Sequence, residues 1–464
     1  MTSDSPASPR ADFFYLLLVT AVAAVGGFLF GYDLSIISGA ILFLQTEWAL
    51  EPLQLGAVTG SAILGCPFGA LAGIFWSDRW GRNRCLLVSA LLFFISAVGS
   101  ALPFGPWDFS IWRFIGGIGV GLASTVSPMY IAEISPARLR GRMVILNQLA
   151  IVVGLSLSVY VAYLLSFGGH WRWMFATEVI PSALFGFCLF FVPQSPRWLA
   201  AQGRSDDARR VLARINGDEQ AQRELHEINV ELKEEHGGMK ELLRPGVRRA
   251  VLIGVILMVF SQINGVNMIL IYTPTLFMEA GVTNAPDAIL NSVYVTSWIT
   301  LCTVISFWLI SRFGRRPILI AGPIGMAAGQ AIMFCKFTYD LPPWATLTGM
   351  FLATGAFTLT LAPLSWVVLS EIFPNRIRGA AMSIATTAMF TSSYITTNLF
   401  PAVLDYFKAT WGNPGGTFLI FSGICLACSV FVWRLLPETK DKTLEEIGRF
   451  WLRFPIQQKK PRNP

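Results

Sequence analysis

Apolar stretches of about 18 residues or more recur from one end of this chain to the other, and they restrict its fold more than any other feature. Each stretch is long enough to cross a lipid bilayer, where no water is present to satisfy unpaired backbone groups. Segments at that depth therefore form helices. The pattern predicts membrane helices near 13–44, 53–76, 85–103, 108–134, 143–167, 173–193, 249–279, 288–310, 317–337, 343–370, 380–406 and 416–436.

The charged residues agree with a membrane protein, because they make up only 14% of the chain, against about 25% in a soluble domain. The net charge of +7 does not indicate a nucleic-acid partner, since the basic residues lie in short loops between apolar stretches. Eleven of them lie in the alternate loops 77–84, 135–142, 311–317 and 374–379. The loops on the other side hold only Arg172, Lys336 and Lys408. This asymmetry predicts that both termini are cytoplasmic.

A long polar segment separates two sets of six stretches. We expect an N-terminal half, a cytoplasmic helical linker domain, a C-terminal half and a cytoplasmic tail over 1–193, 194–247, 248–440 and 441–464. Within the linker, Ala208, Val211, Leu212 and Ile215 have helical spacing. This spacing predicts a small helical bundle packed under the membrane domain, and a solvated linker is the alternative.

Two loop motifs occur once in each half. Ser77-Asp-Arg-Trp-Gly-Arg-Asn-Arg84 recurs as Ser311-Arg-Phe-Gly-Arg-Arg-Pro317, with 233 residues between the loop glycines. Glu133-Ile-Ser-Pro-Ala-Arg-Leu-Arg-Gly141 recurs as Glu371-Ile-Phe-Pro-Asn-Arg-Ile-Arg-Gly379, with 238 residues between the glutamates. Both offsets are close to half the chain, and a duplicated six-helix unit explains them.

The repeated loops carry matched charges, which suggest a gate at the cytoplasmic end. We expect Glu133 to pair with Arg140 and Glu371 with Arg378, and these pairs to hold the halves together until that side opens. Ordinary positive-inside topology is the alternative, but it does not require the matching glutamates. The predicted gate residues are Asp78, Arg82, Glu133, Arg140, Arg315, Glu371 and Arg378.

Seven short motifs follow one another along nearly the whole chain. They are Gly31-Tyr-Asp33, Asp78-Arg-Trp-Gly-Arg82, Arg113-Phe-Ile-Gly-Gly-Ile-Gly-Val-Gly121, Tyr130-Ile-Ala-Glu133, Pro193-Gln-Ser-Pro-Arg-Trp198, Gln262-Ile-Asn-Gly-Val-Asn267 and Pro437-Glu-Thr-Lys440. In this order they resemble the sugar porter family of the major facilitator superfamily, and especially its bacterial proton–sugar symporters. The family usually has Glu where Gln194 stands. The resemblance implies an all-α fold of twelve transmembrane helices in two pseudo-symmetric halves, and secondary active import of a sugar or polyol.

Asp33 is an acidic residue inside an apolar stretch, where a central charge costs about 2.5–3.5 kcal/mol on insertion scales. Arg113 is its natural partner, because both residues fall in the outer half of the membrane. The resemblance implies that Asp33 carries the coupling proton, since passive facilitators have Asn there. A static ion pair between helices one and four is the alternative. We expect no metal and no cofactor besides the coupling ion, a proton.

The resemblance also implies a sugar site. Amides provide bidentate hydrogen bonds to hydroxyl groups, and aromatic rings cover the apolar face of a sugar. The positions that match the family's substrate residues are Gln148, Gln262, Asn267 and Trp366, with Tyr272 as a gating aromatic and Phe30 as a pocket aromatic. Hydrogen bonds between helices of the bundle are the alternative role for the polar ones.

Several positions depart from the family pattern. Family amides are replaced by Ser261, Ile299, Leu155 and Met389, and a common tryptophan is replaced by Phe390. The site therefore has fewer amides and a more apolar wall, which makes a methylated, deoxy or otherwise less polar polyol plausible as the substrate.

Other functions are open at this point. The nearest alternative is a facilitative uniporter with Asp33 uncoupled, and a non-transporting nutrient sensor is less consistent with the short tails. The three histidines lie in loops with no catalytic or metal-binding pattern, which argues against an enzyme. We expect a monomer in the inner membrane of a bacterium.

Overall fold

The computed structural model describes residues 13–234, 245–373 and 378–439, and every regular element in these ranges is a helix. The first half contains α1 (Phe13–Trp48), α2 (Pro52–Trp80), α3 (Arg82–Ala101), α4 (Pro106–Ile134), α5 (Ala137–Ser166), α6 (Trp171–Ala176) and α7 (Val179–Leu189). The polar segment contains α8 (Pro196–Ala201), α9 (Ser205–Asn216) and α10 (Asp218–Glu234). The second half contains α11 (Pro245–Ile263), α12 (Val266–Glu279), α13 (Ala285–Arg312), α14 (Arg315–Thr338), α15 (Pro343–Leu359), α16 (Leu361–Ile372), α17 (Arg378–Trp411) and α18 (Gly415–Leu435).

These helices form twelve membrane segments, because α6–α7, α11–α12 and α15–α16 each continue one segment across a short break. Among the described residues, ten segments have the length and hydropathy of a membrane span. The other two are α6–α7, whose pieces have 6 and 11 residues, and α17. α17 is less apolar than the rest, since eight serines and threonines lie between positions 383 and 397.

The helices of the polar segment pack on one another and on one end of the membrane body. Their apolar cluster includes Trp198 and Ala208. Trp198 Nε1 donates to the Asp78 carbonyl at 2.9 Å, and the Arg214 guanidinium lies 3.7 Å from the ring centroid of Tyr15. We call this end, which carries loops 77–84, 135–142 and 311–317, the basic end, and the other the far end.

The two halves contact each other in the middle of the bundle and toward the far end. α2 begins at the far end, where a Cβ on Gly56 would lie 1.9 Å from the Asn398 carbonyl of α17. α5 and α13 are joined by a hydrogen bond of 2.8 Å between the Ser156 and Thr300 hydroxyls. Small residues let helices approach closely in a membrane, so these seams are tight.

Candidate functional site

The structure brings Asp33 and Arg113 together inside the first half. Arg113 Nη1 donates to Asp33 Oδ1, and Arg113 Nη2 donates to the Asp33 backbone carbonyl at 2.7 Å. The side chains of Arg113 and Asp33 are 1% and 0% exposed, and the guanidinium lies 5.4 Å from the ring centroid of Phe175. The pair is therefore sealed from solvent and is anchored through both the side chain and the backbone of α1.

Glu178 is a second buried carboxyl group at this site, and the sequence analysis missed it. It occupies the break between α6 and α7, is 1% exposed, and lies close enough to Asp33 for the two carboxyl groups to interact electrostatically. Neither Glu178 oxygen, nor Asp33 Oδ2, has a donor among the described residues. As ionised groups, two carboxylates and one guanidinium leave one unbalanced negative charge, which one shared proton removes. An ionisable residue in an apolar stretch was the signal that could have found it.

Neighbouring groups hold the break that carries Glu178. The Tyr32 hydroxyl, from the residue before Asp33, lies 2.7 Å from the Thr177 hydroxyl. The Thr177 hydroxyl in turn donates to the Met174 carbonyl at 2.6 Å. These bonds tie α1 to the α6–α7 joint, so the two carboxyl groups keep their relative positions.

The predicted sugar-binding amides of the second half flank another break. Gly265 adopts a left-handed conformation with φ of 85°, which favours glycine, and it separates α11 from α12. Asn267 Nδ2 donates to Gln262 Oε1 at 2.5 Å across this break, and Gln262 Nε2 donates to Ser261 Oγ at 3.2 Å. Gln262 and Asn267 are partly exposed. A break of this kind frees polar groups for a ligand in the interior of a membrane transporter.

The other predicted substrate residues occupy three more helices. Gln148 on α5 and Phe30 on α1 are partly exposed, and Trp366 on α16 is 40% exposed. Tyr272 on α12 is buried; its hydroxyl donates to the Thr397 carbonyl of α17 at 3.1 Å, and its ring centroid lies 4.9 Å from that of Phe400. Among these described residues, the structure joins only Gln262 and Asn267 by a hydrogen bond.

The charges at the basic end pair differently from our expectation. Glu133 binds Arg82 at 2.9 Å rather than Arg140, whose Nε donates to the Ala132 carbonyl at 2.9 Å. Arg82 also binds Asp78 at 3.0 Å. The reason is that α3 and α4 are neighbours in one half, so the start of α3 brings Arg82 to the end of α4.

The second half repeats this arrangement. Arg315 binds Glu371 at 3.1 Å, while the side chain of Arg378 lies outside the described residues. The pairs of Arg82 and Arg315 each join helices of the same half, so they do not bridge the two halves as we expected. They stabilise the basic end of each half separately, at corresponding places.

The structure shows that two further sequence motifs make equivalent contacts in the two halves. In Pro193-Gln-Ser195, Gln194 Oε1 accepts from the Asn83 backbone at 3.2 Å, and Ser195 Oγ donates to Glu133. In Pro437-Glu-Thr439, Glu438 accepts from the Arg315 backbone at 2.9 Å, and the Thr439 hydroxyl donates to Glu371 at 2.5 Å. Each segment therefore links the start of one helix to the glutamate of the next.

A cavity of about 590 Å³ lies between the halves at the far end. Two ion pairs lie at its rim, Glu47 with Arg172 at 2.7 Å and Glu279 with Lys408. Tyr272 is the one predicted substrate residue that lines this cavity among the described residues.

This fold, with a buried charge cluster in one half and an amide pair in the other, defines a membrane transporter of the two-half type. A family model described as "Sugar (and other) transporter" matches residues 19–451. The D-xylose-proton symporter of Escherichia coli K12 is 38% identical over 94% of this chain and 96% of its own length. The arabinose-proton symporter of Bacillus subtilis is 36% identical over 95% of this chain and 96% of its own length.

Solved structures of a sugar transporter also resemble this chain. The inward-open xylose transporter XylE of E. coli has a TM-score of 0.83 and 35% identity, over 94% of this chain and all of that one. XylE bound to 6-bromo-6-deoxy-D-glucose has a TM-score of 0.79 and 37% identity, over 94% of this chain and 99% of that one. The chain belongs to the sugar transporter family. The predicted all-α fold of twelve helices in two halves is confirmed, and the protein is a transporter rather than an enzyme.

Proposed function

We propose that this chain imports a sugar or related polyol by alternating access, driven by proton symport. The observation that carries the proposal is the sealed ion pair of Asp33 and Arg113, with the buried carboxyl group of Glu178 beside it. The names of its relatives, symporters of protons with xylose or arabinose, support both the coupling and the substrate class.

The cluster suggests how one proton is coupled. With a proton shared between Asp33 and Glu178, the site is neutral and Arg113 remains on Asp33. Loss of the proton leaves a net negative charge in the membrane interior, which is unfavourable unless the site opens to water. Opening on one side thus accompanies release there, and protonation from the other side restores the sealed state.

The substrate site is proposed at Gln262 and Asn267, with Gln148, Trp366 and Phe30 around it and Tyr272 as a gating residue. The bond between the two amides is one that a sugar hydroxyl can replace, since each amide has a donor and an acceptor. Ile299, Met389 and Phe390 are buried and offer no hydrogen bond there, which supports a substrate with fewer hydroxyl groups than a hexose.

The basic end is proposed to face the cytoplasm, because Lys and Arg accumulate on that side. Both termini and α8–α10 then lie in the cytoplasm. The protein is proposed to lie in the inner membrane of a bacterium and to work as a monomer. With this orientation, the contacts between the halves in the middle and at the far end support an inward-facing state. Rearrangement of the clusters around Arg82 and Arg315 accompanies closure of this inner gate.

The decisive experiment uses purified protein in liposomes with an imposed proton gradient. D-xylose, L-arabinose, D-glucose, deoxy sugars and inositols are first screened by thermal shift, because a bound substrate raises the melting temperature. Uptake of the best binder then alkalinises the medium and reaches a concentration above equilibrium. Uptake to equilibrium without alkalinisation overturns symport and leaves a facilitative uniporter.

Asp33→Asn tests the site itself. We expect this variant to lose accumulation against a gradient while it still exchanges labelled sugar in counterflow. Asp108→Asn is the matched control, because Asp108 lies on α4 with Arg113 but, among the described residues, accepts a hydrogen bond only from the Phe104 backbone, at 3.0 Å. Accumulation by Asp33→Asn removes that residue from the mechanism.

A further inference from the structure

The break between α11 and α12 leaves the Asn264 carbonyl without a backbone donor among the described residues. Two side chains from other helices supply donors instead. Gln330 Nε2 of α14 lies 3.3 Å from this oxygen, and Cys425 Sγ of α18 lies 3.6 Å from it. Unpaired backbone groups are unfavourable in a membrane, so the break depends on these tertiary contacts.

Gln330 is the more specific of the two. It is 0% exposed, and its Nε2 lies 2.9 Å from the place that a Cβ on Gly265 would occupy. Its Oε1 has no donor among the described residues. The buried amide therefore makes one hydrogen bond there, from Nε2 to the Asn264 carbonyl. An apolar residue of similar size would fill the same space without the unsatisfied Oε1, but it would remove the Nε2 donor from the Asn264 carbonyl.

The Asn264 side chain completes the local structure. Its Oδ1 accepts from the Val266 backbone at 2.9 Å, and its Nδ2 donates to the Ser261 carbonyl at 2.8 Å. The backbone around Gly265 is thus held by the Asn264 side chain of the same segment and by the Gln330 side chain of α14.

This geometry controls the amide pair. Gln262 precedes the break and Asn267 follows it, and their side chains meet at 2.5 Å. A shift of the Asn264–Gly265 peptide changes the separation of the two helices that carry these amides. Sugar hydrogen bonds depend on such distances to within a few tenths of an ångström.

We infer that Gln330, through the Asn264 carbonyl, is a positioning residue that sets the geometry of the Gln262–Asn267 pair for sugar binding. The inference rests on the proposed function, because it assumes that these amides bind the sugar. A role in helix packing alone is the competing explanation, since polar residues commonly join membrane helices.

The first test measures D-xylose uptake by Gln330→Met in liposomes. We expect KM to rise about tenfold, with the maximum rate within about twofold of wild type, because positioning affects binding. In a Gln262→Ala background the same substitution adds less than about twofold, since coupled residues are not additive. Met333→Leu, one turn away on α14 and equally buried, is the control and leaves KM unchanged.

An equal fall in the maximum rate with KM unchanged, or a full tenfold effect in the Gln262→Ala background, overturns the inference and assigns Gln330 to packing. A second test needs no sugar. Hydrogen exchange of backbone amides 264–267 in Gln330→Met should be at least about fivefold faster than in wild type and Met333→Leu. Unchanged exchange overturns the inference. Failure of wild type to transport D-xylose counts against D-xylose as the substrate in the proposed function, while the exchange result still decides the role of Gln330.

Discussion

The first helix of each half offers a contrast. α1 runs unbroken for 36 residues and carries an acidic residue, Asp33, whose backbone carbonyl and side chain both accept hydrogen bonds from Arg113. The corresponding segment of the second half breaks at Gly265 and carries neutral amides on either side. The two copies of the duplicated six-helix unit therefore share their packing but differ in their polar residues. The first copy has a sealed charge site, and the second has a partly exposed amide site.

The difference follows from what each site must bind. A proton needs a buried carboxyl group whose charge is balanced by a fixed partner, and a continuous helix holds it well. A sugar needs several neutral donors and acceptors that reach an accessible space, and a broken helix provides them. The following predictions test whether the two regions are really separate in function.

The largest effect is expected from Arg113→Leu, which leaves two buried carboxyl groups without a cation. We expect a loss of about 3–5 kcal/mol in the free energy of unfolding, measured by denaturation in detergent. Arg315→Leu is the control, because Arg315 is 20% exposed and should lose less than about 1 kcal/mol. Adding Asp33→Asn to Arg113→Leu should recover part of the loss. Equal stability of the two single variants would show that the sealed pair of Arg113 matters no more for stability than the more exposed pair of Arg315.

Glu178→Gln tests the role of Glu178 in coupling apart from the role of Asp33. It removes the partner that shares the proton with Asp33, so steady-state accumulation should fall about tenfold, equivalent to about 1.4 kcal/mol of coupling. Sugar binding to the second half should not change. The measurement is accumulation and equilibrium binding on the same sample. Normal accumulation would restrict the coupling site to Asp33 and Arg113.

Gln262→Ala addresses the amide site. Loss of its hydrogen bonds should weaken sugar binding by about 1–2 kcal/mol, while the ratio of protons to sugar stays at the wild-type value. Isothermal titration and medium alkalinisation measure the two quantities. Asn291→Ala is the control, because within the described part of the chain the Asn291 side chain donates only to the Asp287 carbonyl, at 2.8 Å. A changed proton ratio would show that the two regions are not separate.

The smallest effect is expected from Ser261→Gln, which restores an amide typical of the family. A fully hydroxylated sugar should gain about 0.5–1.5 kcal/mol in binding relative to its deoxy analogue. Thermal shift with matched pairs of sugars provides the measurement. No change in this preference would show that residue 261 does not face the substrate.

Most of the fold could be predicted from the chain, but the site only in part. Asp33 and Arg113 are visible because each is a charge in an apolar stretch, and charges there require partners. Glu178 has the same signal, yet its relation to Asp33 depends on how α6–α7 folds against α1. The partner of Glu133 was predicted wrongly because nearness in sequence favoured Arg140, whereas helix packing brings Arg82 to it.

The sequence by itself determined the twelve membrane helices, the duplication and the residue types of both sites, because hydrophobic length and buried charge follow from local composition. Only the tertiary structure decided which polar groups meet. The break at Gly265 lies inside 249–279, which the sequence predicted as one membrane helix, and it is held by Gln330 and Cys425, which are 66 and 161 residues away from Asn264 in sequence. Hydrogen bonds act over about 3 Å, so such contacts depend on packing rather than on pattern.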